Sequence, residues 1–262
     1  LSFSFGLLNG FDTNIRAILV PVIFIIAVNS KSYLLLKPLF VASLVFIVIE
    51  NYLFYSNNPI WSNFSRFGIV RPFGLFFDAH STSLFLAISL YLFSYKIIGG
   101  VVSLFMMSMQ TPLVYSVLFL RRFSLKKIFI LCVFLFITYT LLSNIGHLNY
   151  NVEYSMLYTY FVSFQQGFHE CYFYGCATNV ISFDWLNEKY IYLIGDNGIL
   201  RSLYFCGLIW IVLYYYLVSI KSMNKLLPAA YFLTIIHYAV SLGVLGSVIM
   251  GIQINYFNRY NK

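Results

Sequence analysis

The groups in this 262-residue chain best able to do chemistry lie in polar islands between long apolar runs. One island, NFSRFGIVRPFGLFFDAHSTSLF at 63–85, holds Arg66, Arg71, Asp78 and His80. Burying such groups unpartnered costs roughly several kcal/mol apiece, so they must face water, a protein cavity or one another. Arg71 precedes Pro72 and Gly74, which predicts a bent, exposed turn, and its guanidinium fork can hold a diphosphate in a way that a point-charge lysine cannot. A cationic interface anchor is the plainer use of the same side chain, and His80 alone reads first as a satisfied polar residue. Glu50, in VIENYLF, can neutralise either Arg66 or Arg71. The second island is GDNGILRSLYFCGLI at 195–209, where Arg201 follows Asp196 by five positions. That spacing does not stack the two on one helical row, but a turn at Asn197 and Gly198 can bring them together. The alternative is a helix start at which Asp196 accepts backbone donors and Arg201 snorkels to water. Before it come GFHECYFYGC at 167–176, with His169 and Glu170, and then Asp184.

These islands need a scaffold, and composition names it. Hydrophobic residues make up 61% of the chain and charged ones only 9%, against roughly a quarter charged in soluble domains. A water-soluble globule is excluded. The expectation is an all-α, polytopic integral membrane protein forming a single membrane domain over 1–262. A spanning helix takes roughly 20 residues, and the apolar runs predict about nine crossings. These are 17–28, 38–54, 73–95, 97–109, 112–120, 128–142, 199–218, 227–242 and 244–257. Alternating passes put Lys31, Lys37, Lys96, the cluster RRFSLKK at 121–127, Lys221, Lys225, Arg259 and Lys262 together on the cytoplasmic side. The net charge of +8 therefore speaks for topology before it speaks for nucleic acid.

The same alternation puts residues 55–72 outside, together with a large extracytoplasmic loop over 143–198. Aromatic residues form 21% of the chain, serving both packing and interfacial anchoring. In YSMLYTYFVSF at 154–164, Met156, Tyr160 and Phe164 fall on one helical stripe, as in a surface helix lying against lipid. Cys132 and Cys206 lie in apolar runs as small buried residues, whereas Cys171 and Cys176 can form an extracytoplasmic disulfide. Neither the cysteines nor the dispersed His80, His147, His169 and His237 form a metal-ligand pattern, so no metal or other cofactor is expected. The first residue is Leu rather than Met, and several runs are short for an unaided crossing. Missing residues thus stand as an alternative to a naturally compact protein.

The combination of RPFGLFFDAHSTSLFLA at 71–87, SMQTPLVYSVLFL at 108–120, the long outward loop and GDNGILRSLYFCGLI at 195–209 resembles the bacterial O-antigen and exopolysaccharide polymerase family, which is related to the O-antigen ligases. The resemblance implies a many-pass, GT-C-like glycosyltransferase fold in the bacterial inner membrane, with its active site on the periplasmic face. It also implies repeat units carried on undecaprenyl diphosphate, and a polysaccharide chain-length regulator as partner. Arg71 matches the arginine that opens the family's first extracytoplasmic motif, and Arg201 the one after the Asp-x-Gly element closing its large loop. Both would neutralise the leaving diphosphate, with Arg66 nearby in sequence. Asp196 would orient Arg201 or bind a sugar hydroxyl, and Glu50 and Asp184 are candidates for the same work. The ligase branch carries a histidine at the loop's end, where this chain has NEKYIYLIGDNG, so the polymerase branch fits better. The general base is left open among His169, Glu170 and His80, in that order.

The reaction expected is an inverting displacement without metal, in which the acceptor hydroxyl attacks the donor's anomeric carbon as the diphosphate departs. The alternatives are an O-antigen ligase, a lipid-linked sugar transporter or flippase, and a noncatalytic cell-envelope assembly subunit. The transporter reading lacks an inverted repeat of Gly/Pro-broken spans. A nucleic-acid partner lacks a basic patch interleaved with aromatics, because the loop's charges are mixed.

Overall fold

The computed structural model describes residues 12–56, 65–66, 69–70, 73–76, 78–105, 110–118, 133, 173–174, 198–236 and 240–260. These residues are helical apart from one antiparallel ladder of two-residue strands. Helix α1 covers Asp12–Asn29, and a 3-10 turn over Lys31–Leu35 leads into α2, Leu36–Tyr55. The strands β1, Ser65–Arg66, and β2, Ile69–Val70, pair Ser65 with Val70 and Arg66 with Ile69. A 3-10 turn at Gly74–Phe76 precedes α3, Ala79–Leu92, followed by α4, Lys96–Phe105, and α5, Gln110–Val117. After these come α6, Gly198–Lys221, α7, Leu226–Phe232, 3-10 turns at Leu233–Ile236 and Val240–Leu242, and α8, Val244–Tyr260. Pro38, Pro112 and Pro228 sit in the first turns of α2, α5 and α7, where a backbone N–H has no helical partner to lose.

Helix α3 is the axis of the bundle. Ala79, every residue from Ser81 to Ser89, and Leu92 are buried, so it meets protein on all sides. Helix α8 binds the others to it. The Gln253 amide donates to the Phe85 carbonyl and to Ser89 Oγ of α3, both at 2.9 Å, while its oxygen accepts the Tyr231 hydroxyl of α7. Asn255 donates to the Ser30 carbonyl at 2.6 Å, at the turn after α1. Asn258 donates to the Lys221 carbonyl at 2.7 Å and accepts the Met223 N–H at 3.0 Å, closing the turn between α6 and α7. Ser83 and Thr111 join α3 to α5 at 2.6 Å, and Tyr214 and Ser247 join α6 to α8 at 2.9 Å. These buried polar groups are thus paired across helices, while the Ser43 and Ser219 hydroxyls are buried without a partner among the described residues.

The outer faces have the opposite character. Val41, Val45 and Val48 of α2 are exposed, as are Ile18 and Ile26 of α1 and Val212 and Leu213 of α6. Within α2 only Leu36 and Ser43 are buried. Among the described residues, one continuous helix, Lys31–Tyr55, is long and apolar enough to cross a membrane, and it contains the expected crossing 38–54. Shorter apolar stretches are Ile18–Asn29 within α1, Ala79–Leu92, Cys206–Lys221 within α6, and Leu226–Ile235. Gly207 interrupts α6 with φ 74° and ψ 155°. Within 227–242 the Thr234 hydroxyl is bonded to the Tyr231 carbonyl at 2.6 Å, and the segment divides into α7 and two 3-10 turns. The expected crossing 128–142 lies outside the described residues, apart from position 133.

Helix direction separates the charges. The Asn255 and Asn258 bonds bring the ends of α1, α6 and α8 together, and Phe93 meets Phe40 at 5.3 Å and Tyr256 at 5.6 Å. Lys31, Lys37, Lys96, Lys221, Lys225 and Arg259 therefore share one end of the bundle, with Arg259 over the Tyr33 ring at 5.7 Å. Every described Asp or Glu, namely Asp12, Glu50 and Asp78, lies at the other end.

Helices α1 and α8 touch backbone to backbone. A Cβ at Gly251 would fall 2.5 Å from Ala27 Cβ and 3.2 Å from the Phe24 carbonyl oxygen. Gly251→Ala should destabilise the protein by about 1–3 kcal/mol, and Ala27→Gly should restore part of the loss. Thermal unfolding in detergent measures both, and an unchanged midpoint in Gly251→Ala would show that the helices do not meet there.

Candidate functional site

The end that carries the described acids also carries the backbone of Arg201 at the start of α6 and the connection from α2 that includes Arg66, and its best-defined part is the turn between β2 and α3. Gly74 has φ +61°, a left-handed conformation that costs glycine nothing, and a Cβ there would lie 2.6 Å from Thr82 Cγ2. This turns the Gly74 N–H toward α2, where it donates to Glu50 Oε2 at 2.9 Å. The Phe73 N–H is a second donor to the same carboxylate. The Phe73 carbonyl faces the other way and accepts the Thr82 hydroxyl. One peptide segment is thereby held between α2 and the central helix, and the Phe76 ring meets Phe85 edge-on at 5.0 Å.

Asp78 begins α3. Its backbone is extended, at φ −147° and ψ 119°, and its side chain caps the helix. Oδ2 accepts the Ser81 N–H at 2.8 Å and the Ser81 hydroxyl, and Oδ1 accepts the His80 N–H at 3.3 Å. His80 occupies the first turn of α3 with a half-buried side chain, and its carbonyl accepts Ser83 Oγ at 3.0 Å. The acidic oxygens at this end thus have backbone and hydroxyl donors, which suits them to fixing the chain beyond Arg71 and Pro72 in a defined course.

Of the residues singled out from sequence, Glu50 and His80 are brought to the two ends of this one turn. Arg66 has its backbone in β1, in the connection between α2 and the turn, and Arg201 has its backbone in the first turn of α6. Arg71, His169, Glu170, Asp184 and Asp196 lie outside the described residues, as do the 154–164 stripe and the Cys171–Cys176 pair. Glu50 has a partner that charge pairing did not suggest, since its acceptor oxygens meet backbone N–H groups. The bend expected from Pro72 and Gly74 is present at Gly74, but that glycine is buried against Thr82 rather than exposed. Asp78 was not read as a helix cap, though an acid just ahead of an apolar run is the signal that could have found it. Thr82 had no sequence signal, because its role depends on the fold bringing Phe73 across it. Comparison with protein families, with curated proteins and with solved structures returns no match to this chain.

Removing the Glu50 carboxylate should release the turn. Glu50→Ala is expected to speed amide hydrogen exchange at Phe73 and Gly74 and to cost about 1–3 kcal/mol. Glu50→Gln, which keeps one acceptor oxygen, should do less of both. Unaltered exchange in Glu50→Ala would leave the carboxylate with no part in holding this turn.

Proposed function

We propose that the chain is a many-pass, GT-C-like membrane glycosyltransferase that polymerises oligosaccharide repeat units carried on undecaprenyl diphosphate. The observation that carries the reading is the polarity of the bundle. Lys31, Lys37, Lys96, Lys221, Lys225 and Arg259 gather at one end. The chain positions of Arg66 and Arg201, with Glu50 and the Asp78-capped α3, belong to the other. A lysine-rich end suits the cytoplasmic surface of a bilayer. Arginines beyond the opposite end suit a lipid diphosphate presented on the periplasmic side of the inner membrane. The aliphatic outer faces of α1, α2 and α6 around an interior of paired hydroxyls and amides suit lipid as the surrounding solvent.

In this mechanism the acceptor sugar's hydroxyl oxygen attacks the anomeric carbon of the donor from the face opposite the diphosphate. The new glycosidic bond forms as the bond to the diphosphate oxygen breaks, and the leaving group takes the electron pair with its lipid. The hydroxyl proton passes to His169, Glu170 or His80. Arg71 and Arg201, with Arg66, stabilise the charge that grows on the departing diphosphate. They accelerate the step to the extent that they hold the transition state more tightly than the ground state. Asp196 orients Arg201 or binds a sugar hydroxyl, and Asp184 serves the sugar in the same manner. No metal or other cofactor is required. A chain-length regulator is the protein partner that this reading implies.

The test is reconstitution in proteoliposomes with undecaprenyl-diphosphate-linked repeat units, read out as glycan length. Elongation is expected. A folded preparation that elongates nothing would sink the enzyme reading and leave a transporter or an assembly subunit, while transfer to lipid A core would identify a ligase. Arg71→Ala and Arg201→Ala should each lower turnover by about 10²–10³-fold without impairing insertion. Normal turnover in either variant would remove that arginine from the diphosphate clamp.

A further inference from the structure

Helix α6 contains a joint. Gly207 has φ 74° and ψ 155°, a combination that glycine adopts and L side chains avoid. A helical hydrogen bond from residue i to residue i−4 needs the three residues between them to be helical. The N–H groups of residues 208, 209 and 210 therefore lose their usual acceptors at this glycine. The Ile209 N–H donates instead to the Phe173 carbonyl at 3.3 Å. That acceptor belongs to the long polar segment 143–198, from a turn at Phe173 and Tyr174 whose rings meet edge-to-face at 5.0 Å. Leu208 and Ile209 are exposed, so a break facing lipid would need such an acceptor from the protein itself.

The two limbs of α6 are held differently. Below the joint, the Trp210 ring lies against Tyr214 at 5.1 Å, and Tyr214 bonds Ser247 of α8 at 2.9 Å. Asn258 holds the far end at the Lys221 carbonyl. Above it lies the limb Gly198–Cys206, which carries Arg201 and leads back to the long segment.

We propose that Gly207, latched by the Phe173 carbonyl, is a positioning residue that sets where the limb carrying Arg201 is presented to the diphosphate and couples the Phe173–Tyr174 turn to that limb. The diphosphate in this statement rests on the polymerase reading, whereas the joint and its latch do not. An alanine at 207 favours an unbroken helix that would swing the upper limb and return Ile209 to an acceptor within α6. Arg201 would then miss a target to which it must be held within about an ångström, a displacement worth on the order of 10²-fold in rate.

Two measurements on the full-length chain in proteoliposomes test this. Spin labels carried by unnatural residues at Ile199 and Tyr216 report the relation of the limbs. The separation in Gly207→Ala should move outside the wild-type distribution, and an unchanged separation overturns the joint. Elongation of undecaprenyl-diphosphate-linked repeat units reports the chemistry. Gly207→Ala should lower kcat about 10²-fold while changing the donor KM far less, and Gly207→Ala combined with Arg201→Ala should be no slower than Arg201→Ala alone. Multiplying losses would show that Gly207 does not act through Arg201. If Gly207→Ala fails to fold, Tyr174→Gly loosens the latch from the other side. It should speed exchange at the Ile209 amide and lower kcat, and exchange at the wild-type rate overturns the latch. A wild-type protein that elongates nothing sinks the polymerase reading alone, and the label separation still decides the joint.

Discussion

The bundle depends on one buried amide. Gln253 sits at the centre of α8 with no solvent exposure, and its three hydrogen bonds reach the backbone of α3, the Ser89 hydroxyl and the Tyr231 hydroxyl of α7. When the outer faces of a bundle are aliphatic, packing more aliphatic surface inward gains little if lipid is the alternative neighbour. Paired polar groups and close backbone contact then choose which helices meet. An amide offers donors and an acceptor on a rigid plane, so a helix that rotates or slides loses several bonds together. Tyr214 with Ser247, and Ser83 with Thr111, extend the same arrangement to α6 and α5.

Glycine complements these bonds by letting backbones approach. Gly251 brings α8 against α1, and Gly99 brings α4 against the Ala87 carbonyl of α3 and the Tyr115 ring of α5. The central helix, enclosed in this way, is a firm base for what lies above it. Asp78 fixes the start of α3, Thr82 holds the Phe73 carbonyl, and Glu50 reaches across from α2 to the N–H groups on the other side of the same segment. The arginine-bearing connection therefore joins α3 through a turn whose backbone is held on both faces.

How far the molecule could be read from its residues varies with the range of the interactions. Helix class followed from apolar runs, and the gathering of Lys31, Lys96, Lys221 and Arg259 at one end followed from alternating passes. The Gly74 bend and the 38–54 helix were local and legible. Gln253 was not, because its partners are 164 and 168 residues away along the chain and only folding identifies them. The partition of 227–242 depends on Thr234 and Ser241 bonding inward, where hydropathy alone reads one continuous apolar helix. Gly207 stands in the apolar run 199–218, but the break there requires its φ of 74°, and the Phe173 carbonyl that accepts the Ile209 N–H comes from far along the chain. For Glu50, charge suggested an arginine partner; among the described residues its carboxylate meets peptide N–H groups, which no charge pattern could announce.

The place of α8 in the chain has a consequence for biogenesis. It is synthesised after every helix that it joins, and at roughly 5–20 residues per second the interval between Ser89 and Gln253 is on the order of ten seconds or longer. Throughout that interval the Phe85 carbonyl, Ser89 and later Tyr231 wait for their acceptor and donor groups. A nascent chain stopped short of Gln253 would present a half-built bundle with polar groups still seeking partners. Completion of α8 thus satisfies all of these polar groups together, and the closure of the bundle is tied to a single late event in the chain's emergence.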